Sequence, residues 1–202
     1  MTLTVEKRMT AEAFEAFALL PGNRDRLLEF IGGRIIEVVS SSLSSSTGAI
    51  VLGMITLYVR QHRLGVVTGA DGGYIIGGDR CIPDAAYMSY ARQPIQPDVA
   101  YNPVAPDLAV EVLSPSNHPE DMRLKIVSYL NAGTTVWLFD PYSPHAEVYS
   151  PGRKPIRLSA DDILDGGSVL PGFSLPLSLV FGKPDPDAPG VESEQHPPSD
   201  VD

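Results

Sequence analysis

Two acidic residues stand inside apolar stretches of the sequence, where carboxylates are rarely placed for folding reasons alone. Asp84 lies in the stretch CIPDAAYM at 81–88, and Glu111 lies in LAVEVL at 108–113. A carboxylate with apolar neighbours on both sides is desolvated, which costs free energy unless a positive charge pairs with it. If the two stretches form neighbouring strands, the two carboxylates converge and repel each other.

A divalent cation would relieve this repulsion and give the two acids a common purpose. Mg²⁺ typically takes one or two protein carboxylates and leaves its other positions to water and substrate phosphate. Asp84 and Glu111 are therefore candidate metal ligands. The spacing is equally compatible with a buried ion pair, in which Arg123, Lys125 or another cation neutralises the acids.

Lys125 follows Glu111 by fourteen residues, in a segment with helical periodicity. An apolar stripe runs along this segment (Met122, Ile126, Tyr129 and Leu130), and Lys125 lies beside it. Its ammonium group could point toward the two carboxylates. The spacing by itself favours a simpler interpretation, a surface ion pair with Asp121 one helical turn earlier.

The remaining residues offer weaker chemistry. The four histidines share no metal-binding spacing, and only His118 comes close to the candidate site in sequence. The sequence contains neither a Gly-x-Ser-x-Gly elbow nor a Walker loop, and its paired glycines are typical of turns. The single cysteine, Cys81, is interpreted as an inert core thiol because its neighbours are apolar.

The elements that must position these residues follow from hydrophobic periodicity and turn signals. A helix begins at Thr10, a hairpin turns at Gly32-Gly33, and a serine-rich loop at 40–46 precedes a buried helix at 48–62. Short strands are predicted at 65–69, 73–77 and 82–88, and residues 91–106 read as a loop. The strand at 107–113, the helix at 119–132 and the strand at 135–140 then form a βαβ unit. This order predicts an α/β or α+β fold with a mixed central sheet flanked by helices.

Length and charge set the outer limits. The 202 residues suit a single domain at 1–182, and the proline-rich segment 183–202, with six acids and one lysine, is predicted to be a disordered tail. The net charge of −10 argues against a nucleic-acid binder with a broad basic face, but not against an enzyme with a small metal-bridged cleft. The longest nearly uncharged apolar run, 49–59, is short for a membrane span, so a cytoplasmic protein without a membrane partner is expected.

Several blocks of the sequence resemble the Uma-two family of restriction-endonuclease-like proteins. They are LEFIGGRI at 28–35, IPDAAY at 82–87, PDLAVEVLSPS at 106–116, Asp121 to Tyr129, VWLFDP at 136–141 and LPGF at 170–173. The resemblance extends from about Thr10 to Phe181. It implies the PD-(D/E)xK nuclease fold, with a mixed sheet, helices on both faces and a site for Mg²⁺ or Mn²⁺.

The resemblance also assigns roles to individual residues. Asp84 and Glu111 match the metal-binding acids of the family. The usual lysine of the fold would stand two residues after Glu111, where this chain has Leu113; Lys125 matches the lysine that has moved to the following helix. Two further positions differ from many relatives: Ser45-Ser46-Thr47 replaces a histidine, and Glu29 to Arg34 lacks two of the acids of the corresponding block.

The function expected from these residues is Mg²⁺-dependent endonucleolytic hydrolysis of DNA, with Asp84 and Glu111 holding the metal and Lys125 assisting catalysis. Because the body of the protein is acidic, a homodimer or another partner would help to bind the DNA. The alternative is a non-catalytic or mobile-element-associated interaction module that retains the nuclease fold, which the missing acids and the net charge favour. A two-carboxylate sugar hydrolase is a weaker third hypothesis, because neither acid has aromatic neighbours. The role of Glu29 stays open.

Overall fold

The computed structural model describes residues 9–182, which form three sheets and the helices that pack against them. The predicted tail at 183–202 lies outside the described residues. Residues 9–182 contain four α-helices: α1 (Ala11–Ala18), α2 (Ser42–His62), α3 (Pro119–Asn131) and α4 (Ser178–Phe181). A short 3₁₀ helix spans Pro21–Asn23.

The thirteen strands of the described part of the chain pair within three sheets. They are β1 (Leu28–Ile31), β2 (Arg34–Glu37), β3 (Gly65–Thr68), β4 (Gly73–Ile76), β5 (Asp79–Cys81), β6 (Ala85–Ser89), β7 (Tyr101–Asn102), β8 (Leu108–Val112), β9 (Thr135–Asp140), β10 (His145–Tyr149), β11 (Ile156–Ser159), β12 (Ile163–Asp165) and β13 (Ser174–Pro176). The larger sheet has the order β11-β10-β9-β8-β6-β3, and a second sheet has the order β2-β1-β5-β4-β7. Strands β12 and β13 form a separate ribbon.

The predicted βαβ unit is present, because β8 and β9 are parallel neighbours connected through α3. The other strand pairs of the larger sheet are antiparallel, so the sheet is mixed, as the sequence predicts. The chain changes sheets between β5 and β6 through Ile82-Pro83-Asp84, since β5 belongs to the smaller sheet and β6 to the larger one. The single strand predicted at 82–88 is therefore wrong in its first half.

Alternate residues of the larger sheet enter two different cores. On one face, Val51, Ile55 and Val59 of α2 pack with Val110 and Trp137 and with the β12–β13 ribbon. On the other face, α3 and the smaller sheet enclose a core that includes Ala109, Met122 and Tyr129. This division follows from the two-residue period of a strand, which sends neighbouring side chains of β8 to opposite faces.

Helix α2 begins earlier than predicted. Ser41 is its N-cap, and the side chain of Ser41 accepts a hydrogen bond from the backbone amide of Ser44. Serine is favoured at this position because its hydroxyl satisfies an amide that has no partner within the helix. Most of the predicted serine loop is therefore helical. The resulting 21-residue helix is long and apolar enough to cross a membrane by length and composition, although Val51, Ile55 and Val59 are buried against the sheet.

Candidate active site

Glu111 is the penultimate residue of β8 and points away from α2. Its neighbours Val110 and Val112 face the α2 core, so Glu111 lies on the opposite face, toward α3 and the smaller sheet. Only 3% of its surface is exposed. The carboxylate is thus withdrawn from water at a point where the two sheets and α3 meet.

Lys125 bridges two buried glutamates. Its Nζ lies 2.7 Å from Oε2 of Glu111 and 2.9 Å from Oε1 of Glu29, which belongs to β1 in the smaller sheet. The hydroxyl of Tyr129, one turn later on α3, donates to Oε1 of Glu111 over 3.0 Å. Because residues four apart lie on one face of a helix, α3 presents both donors to the same carboxylate.

Glu29 also fixes the segment that connects the two sheets. Its Oε1 accepts a 2.6 Å hydrogen bond from the backbone amide of Ile82. This contact holds the chain just before Asp84. Glu29 therefore connects three parts of the site: β1, the Ile82–Asp84 crossover and the ammonium of Lys125.

Asp84 lies at the end of the crossover, immediately before β6. Its Oδ2 accepts a 2.7 Å hydrogen bond from the backbone amide of Val112, the residue after Glu111. No partner for Oδ1 is found among residues 9–182. The helix α2 approaches closely here, since a Cβ added at Gly48 would lie 3.7 Å from the Cβ of Asp84. Asp84 thus keeps one oxygen fixed by the backbone and one available.

A single narrow cleft with a volume of about 60 Å³ is lined by Glu29, Asp84, Glu111 and Lys125. Ser114, Asn117 and His118 also line the cleft. So do two carboxylates that are paired with arginines, Glu37 with Arg26 and Asp121 with Arg34. His118 is the exposed residue that precedes α3. Lys125 is the only lysine or arginine that lines the cleft within the described residues.

Burial and mutual repulsion dominate the electrostatics. Burial first, and then the charges of Glu29 and Asp84, raise the pKa of Glu111 to about 8 in spite of the nearby ammonium. Burial likewise raises the pKa of Asp84, and the charge of Glu29 adds to this effect. Burial alone would lower the pKa of Lys125, but the charges of Glu111 and Glu29 raise it above its ordinary value. Lys125 therefore stays protonated.

The donor set suits a hard divalent cation. Three carboxylates share one ammonium, so the fully ionised cluster carries an excess of two negative charges. Among residues 9–182, no three Asp, Glu, His or Cys side chains are placed to hold an ion by themselves. This is compatible with Mg²⁺, which usually keeps several waters and takes one or two protein carboxylates. Asp84, with its available Oδ1, and Glu111 are the residues that would hold it.

The structure brings Asp84, Glu111 and Lys125 to one cleft, as the sequence hypothesis requires. The simpler interpretation of Lys125 is wrong, because Lys125 is 5% exposed and Asp121 pairs with Arg34 instead. Of the cations considered for a buried ion pair, Lys125 pairs with Glu111, whereas Arg123 is exposed and forms no salt bridge within 9–182. Cys81 is fully buried, and burial raises the pKa of its thiol.

Sequence reasoning left out two members of the cluster. Glu29 stands in LLEFI at 27–31, an acid between apolar residues, which is the same signal that singled out Asp84 and Glu111. Tyr129 was assigned only to the apolar stripe of α3. Its hydroxyl contact with Glu111 carries no sequence signal, because a buried tyrosine looks the same whether or not its hydroxyl has a special partner.

The mixed sheet, the helices on both of its faces and the acidic cleft at the strand end define a restriction-endonuclease-like core. The fold matches the crystal structure of a putative nuclease belonging to DUF820 from Anabaena variabilis, with a TM-score of 0.74 and 22% sequence identity. The match covers 86% of this chain and 97% of that one. The family model for Uma2, described as "Putative restriction endonuclease", matches residues 12–178, and the chain belongs to this family. No curated protein matches the chain.

Proposed function

We propose that the protein is a Mg²⁺-dependent endonuclease that hydrolyses phosphodiester bonds in DNA. The observation that carries this proposal is the cluster at the end of β8. There one protonated lysine contacts Glu111 at 2.7 Å and Glu29 at 2.9 Å, and Asp84 lies beside them in the same cleft. The descriptions of the family and of the Anabaena structure support a nuclease. The metal ion and the DNA substrate are our own proposal.

Asp84 and Glu111 would hold the ion, which when bound would polarise the phosphate and lower the pKa of a coordinated water. Mn²⁺ is the alternative ion, since it prefers the same oxygen ligands. The backbone amide of Val112 orients Asp84, and the hydroxyl of Tyr129 orients Glu111. Both carboxylates are therefore positioned by the protein before any ligand arrives.

Lys125 acts as a fixed positive charge. Because the neighbouring glutamates keep the pKa of Lys125 high, its side chain stays protonated near neutral pH and cannot act as a general base. It can stabilise the negative charge that develops on the phosphate oxygens in the transition state. In the low dielectric of the cleft such a preoriented charge has a larger effect than it would in water.

Cleavage of supercoiled plasmid by the full chain tests the proposal, in buffers with Mg²⁺, with Mn²⁺ or with a chelator. We expect metal-dependent nicking by the wild type, and a loss of at least about 100-fold for Asp84→Asn and Glu111→Gln, in line with the loss of a metal ligand or its support. Asp107→Asn is the control, because Asp107 accepts a backbone hydrogen bond as Asp84 does but pairs with Arg92 outside the cleft. Cleavage that persists in both cleft variants would contradict the proposal.

A second candidate is a non-catalytic interaction module. The observation that favours it is the lining of the cleft, in which the only lysine or arginine among the described residues is already bound by two carboxylates. The net charge of −10 adds to the repulsion of a DNA backbone. Calorimetric titration with Mn²⁺ distinguishes the two. A nuclease binds the ion in the wild type and loses it in Asp84→Ala, whereas a non-catalytic module shows no such difference.

A further inference from the structure

A second, larger pocket opens beside the acidic cleft. It has a volume of about 570 Å³ and lies between the first half of α3 and the hairpin formed by β9 and β10. We call it the side pocket. Its apolar residues include Met122, Ile126 and Leu138, Tyr142 and Tyr149 stand at its sides, and Arg123 also lines it. Its volume lies within the range of roughly 300–1,000 Å³ that is typical of small-molecule sites.

The side pocket adjoins the cleft, and the two share part of their walls. Ser114, Asn117 and Met122 line both of them. A chain molecule bound with one unit in the cleft could therefore place the next unit in the side pocket. This adjacency restricts the ligand, because one chain molecule must fit the chemistry of both the acidic cleft and the side pocket.

The aromatic side of the pocket is held in place from outside. The hydroxyl of Tyr142 lies 2.6 Å from Oγ of Ser41, the N-cap of α2, and the backbone amide of Tyr142 donates to Oδ1 of Asp140 over 2.9 Å. The side chain nevertheless has 49% of its surface exposed. A tyrosine that is held through its hydroxyl and its backbone amide and is still half exposed is suited to stack on a planar ring.

Polar groups at the side pocket have capacity to spare. Oδ1 of Asn117 accepts the backbone amide of Ser114 over 2.7 Å, and the amide nitrogen of Asn117 has no partner within 9–182. Arg123 forms no salt bridge within the described residues. The side pocket thus combines apolar side chains, two tyrosines, an amide donor and a cation that can bind a phosphate. It is also lined by the carboxylate of Asp140, whose Oδ1 accepts the backbone amides of Tyr142 and Ser143.

We propose that the side pocket binds a nucleobase of the strand whose phosphodiester bond occupies the acidic cleft. This inference rests on the proposed function, since it takes the cleft as the place of the phosphate. The base would lie on the apolar side chains and stack on Tyr142, and Arg123 would contact a neighbouring phosphate. The substrate would then need an unpaired or flipped base, because a base stacked within a duplex cannot enter a pocket.

Binding of small probes to the full chain tests the side pocket without cleavage. Thymidine and deoxyribose are titrated separately and followed by saturation-transfer NMR. We expect thymidine to bind at least 10-fold more tightly than deoxyribose, and Tyr142→Ala to weaken thymidine binding about 10-fold, as the loss of one base-aromatic stack should. Tyr90→Ala, which alters a tyrosine that is 48% exposed but lies away from the pocket, should leave thymidine binding unchanged.

Thymidine 5′-monophosphate tests the cation. We expect it to bind more tightly than thymidine, and we expect Arg123→Gln to remove this advantage, whereas Arg60→Gln on α2 should not. Thymidine binding that is unaffected by Tyr142→Ala, or that is no tighter than that of deoxyribose, would overturn the inference. So would a preference for N-acetyltyrosinamide over thymidine, which would indicate a pocket for a protein side chain.

Cleavage of single-stranded oligonucleotides separates this inference from the proposed function. An abasic position placed in turn at each site next to the cleaved bond should reduce the rate at one defined position. Cleavage that is insensitive to every abasic position overturns the side pocket and leaves the nuclease standing. Thymidine binding that depends on Tyr142 in a protein that cleaves no DNA supports the pocket and refutes the nuclease.

Discussion

The pH dependence of stability in the metal-free protein gives a direct test of the repulsion between Asp84 and Glu111. The folded protein raises the pKa of Glu111 from 4.5 to about 8, with burial as the largest cause and Glu29 and Asp84 as further ones. A carboxylate whose pKa is higher in the folded state binds more protons there than in the unfolded chain. Its contribution is therefore most favourable below about pH 4.5 and is lost as the pH rises toward 8.

The structure sets the size of the effect. A change of one pKa unit corresponds to about 1.36 kcal/mol. The full rise in the pKa of Glu111 therefore lowers the free energy of unfolding by roughly 5 kcal/mol as the pH rises from 4.5 to 8. The charge of Asp84 is one of the causes that raise this pKa, and a nearby like charge that shifts a pKa by about one unit changes the free energy of unfolding by on the order of 1–2 kcal/mol. Asp84→Asn removes the repulsion between Asp84 and Glu111. The new amide oxygen can still accept the hydrogen bond from Val112, so the geometry is kept.

We therefore expect Asp84→Asn to leave stability almost unchanged near pH 5 and to raise it by about 1–2 kcal/mol near pH 9. The measurement is urea unfolding of wild type and variant across this pH range in the presence of a chelator. Asp107→Asn is the matched control and should lose stability instead, because Asp107 pairs with Arg92 at 2.8 Å. A loss of several kcal/mol in Asp84→Asn, or a gain that is the same at pH 5 and pH 9, would refute the reasoning.

Three further perturbations probe the same core. Lys125→Ala leaves Glu29 and Glu111 buried without their cation, so we expect urea unfolding to show a loss of about 3–5 kcal/mol near neutral pH, and a smaller loss at pH 5 would agree with protonation of Glu111, whose pKa is raised. Tyr129→Phe removes the 3.0 Å hydrogen bond to Glu111 and should cost about 1.5–3 kcal/mol by the same assay; no measurable loss would contradict this contact. Cys81 is buried and burial raises its thiol pKa, so it should react with a thiol-specific disulfide reagent only after unfolding, and rapid labelling of the native protein would show that the core opens.

Much of the architecture follows from periodicity in the sequence. The strand at 108–112, the helix at 119–131 and the strand at 135–140 lie within two residues of their predicted bounds, because a continuous apolar run, a Pro at the first helical position and a terminating Gly133 are strong local signals. The change of sheets at Ile82–Asp84 has no comparable signal. A strand that passes from one sheet to another keeps its apolar character throughout, so the sequence alone predicts a single longer strand.

The site divides in the same manner. The position of an acid between apolar neighbours indicates Asp84 and Glu111 as candidate site residues. Glu29 carries the same signal. The position of the Lys125 ammonium could not be predicted from spacing. On an isolated helix, Asp121 one turn away is the natural partner of Lys125, whereas in the fold Asp121 pairs with Arg34 from β2 and Lys125 pairs with Glu111 and Glu29. Tertiary packing decides which acids Lys125 contacts, and the spacing of residues within one helix does not indicate that packing.

The placement of the lysine on α3 and the apolar character of the side pocket are consequences of one arrangement. The resemblance to the PD-(D/E)xK fold puts the usual lysine two residues after Glu111, where Leu113 lines the side pocket. An ammonium at that position would enter an apolar space and make it less suitable for a planar ring. From α3 the lysine reaches Glu111 and Glu29 with its stem along the buried face of the helix, and its charge is fully paired. The position on α3 thus gives Glu111 and Glu29 their cation and leaves the end of β8 at Leu113 apolar.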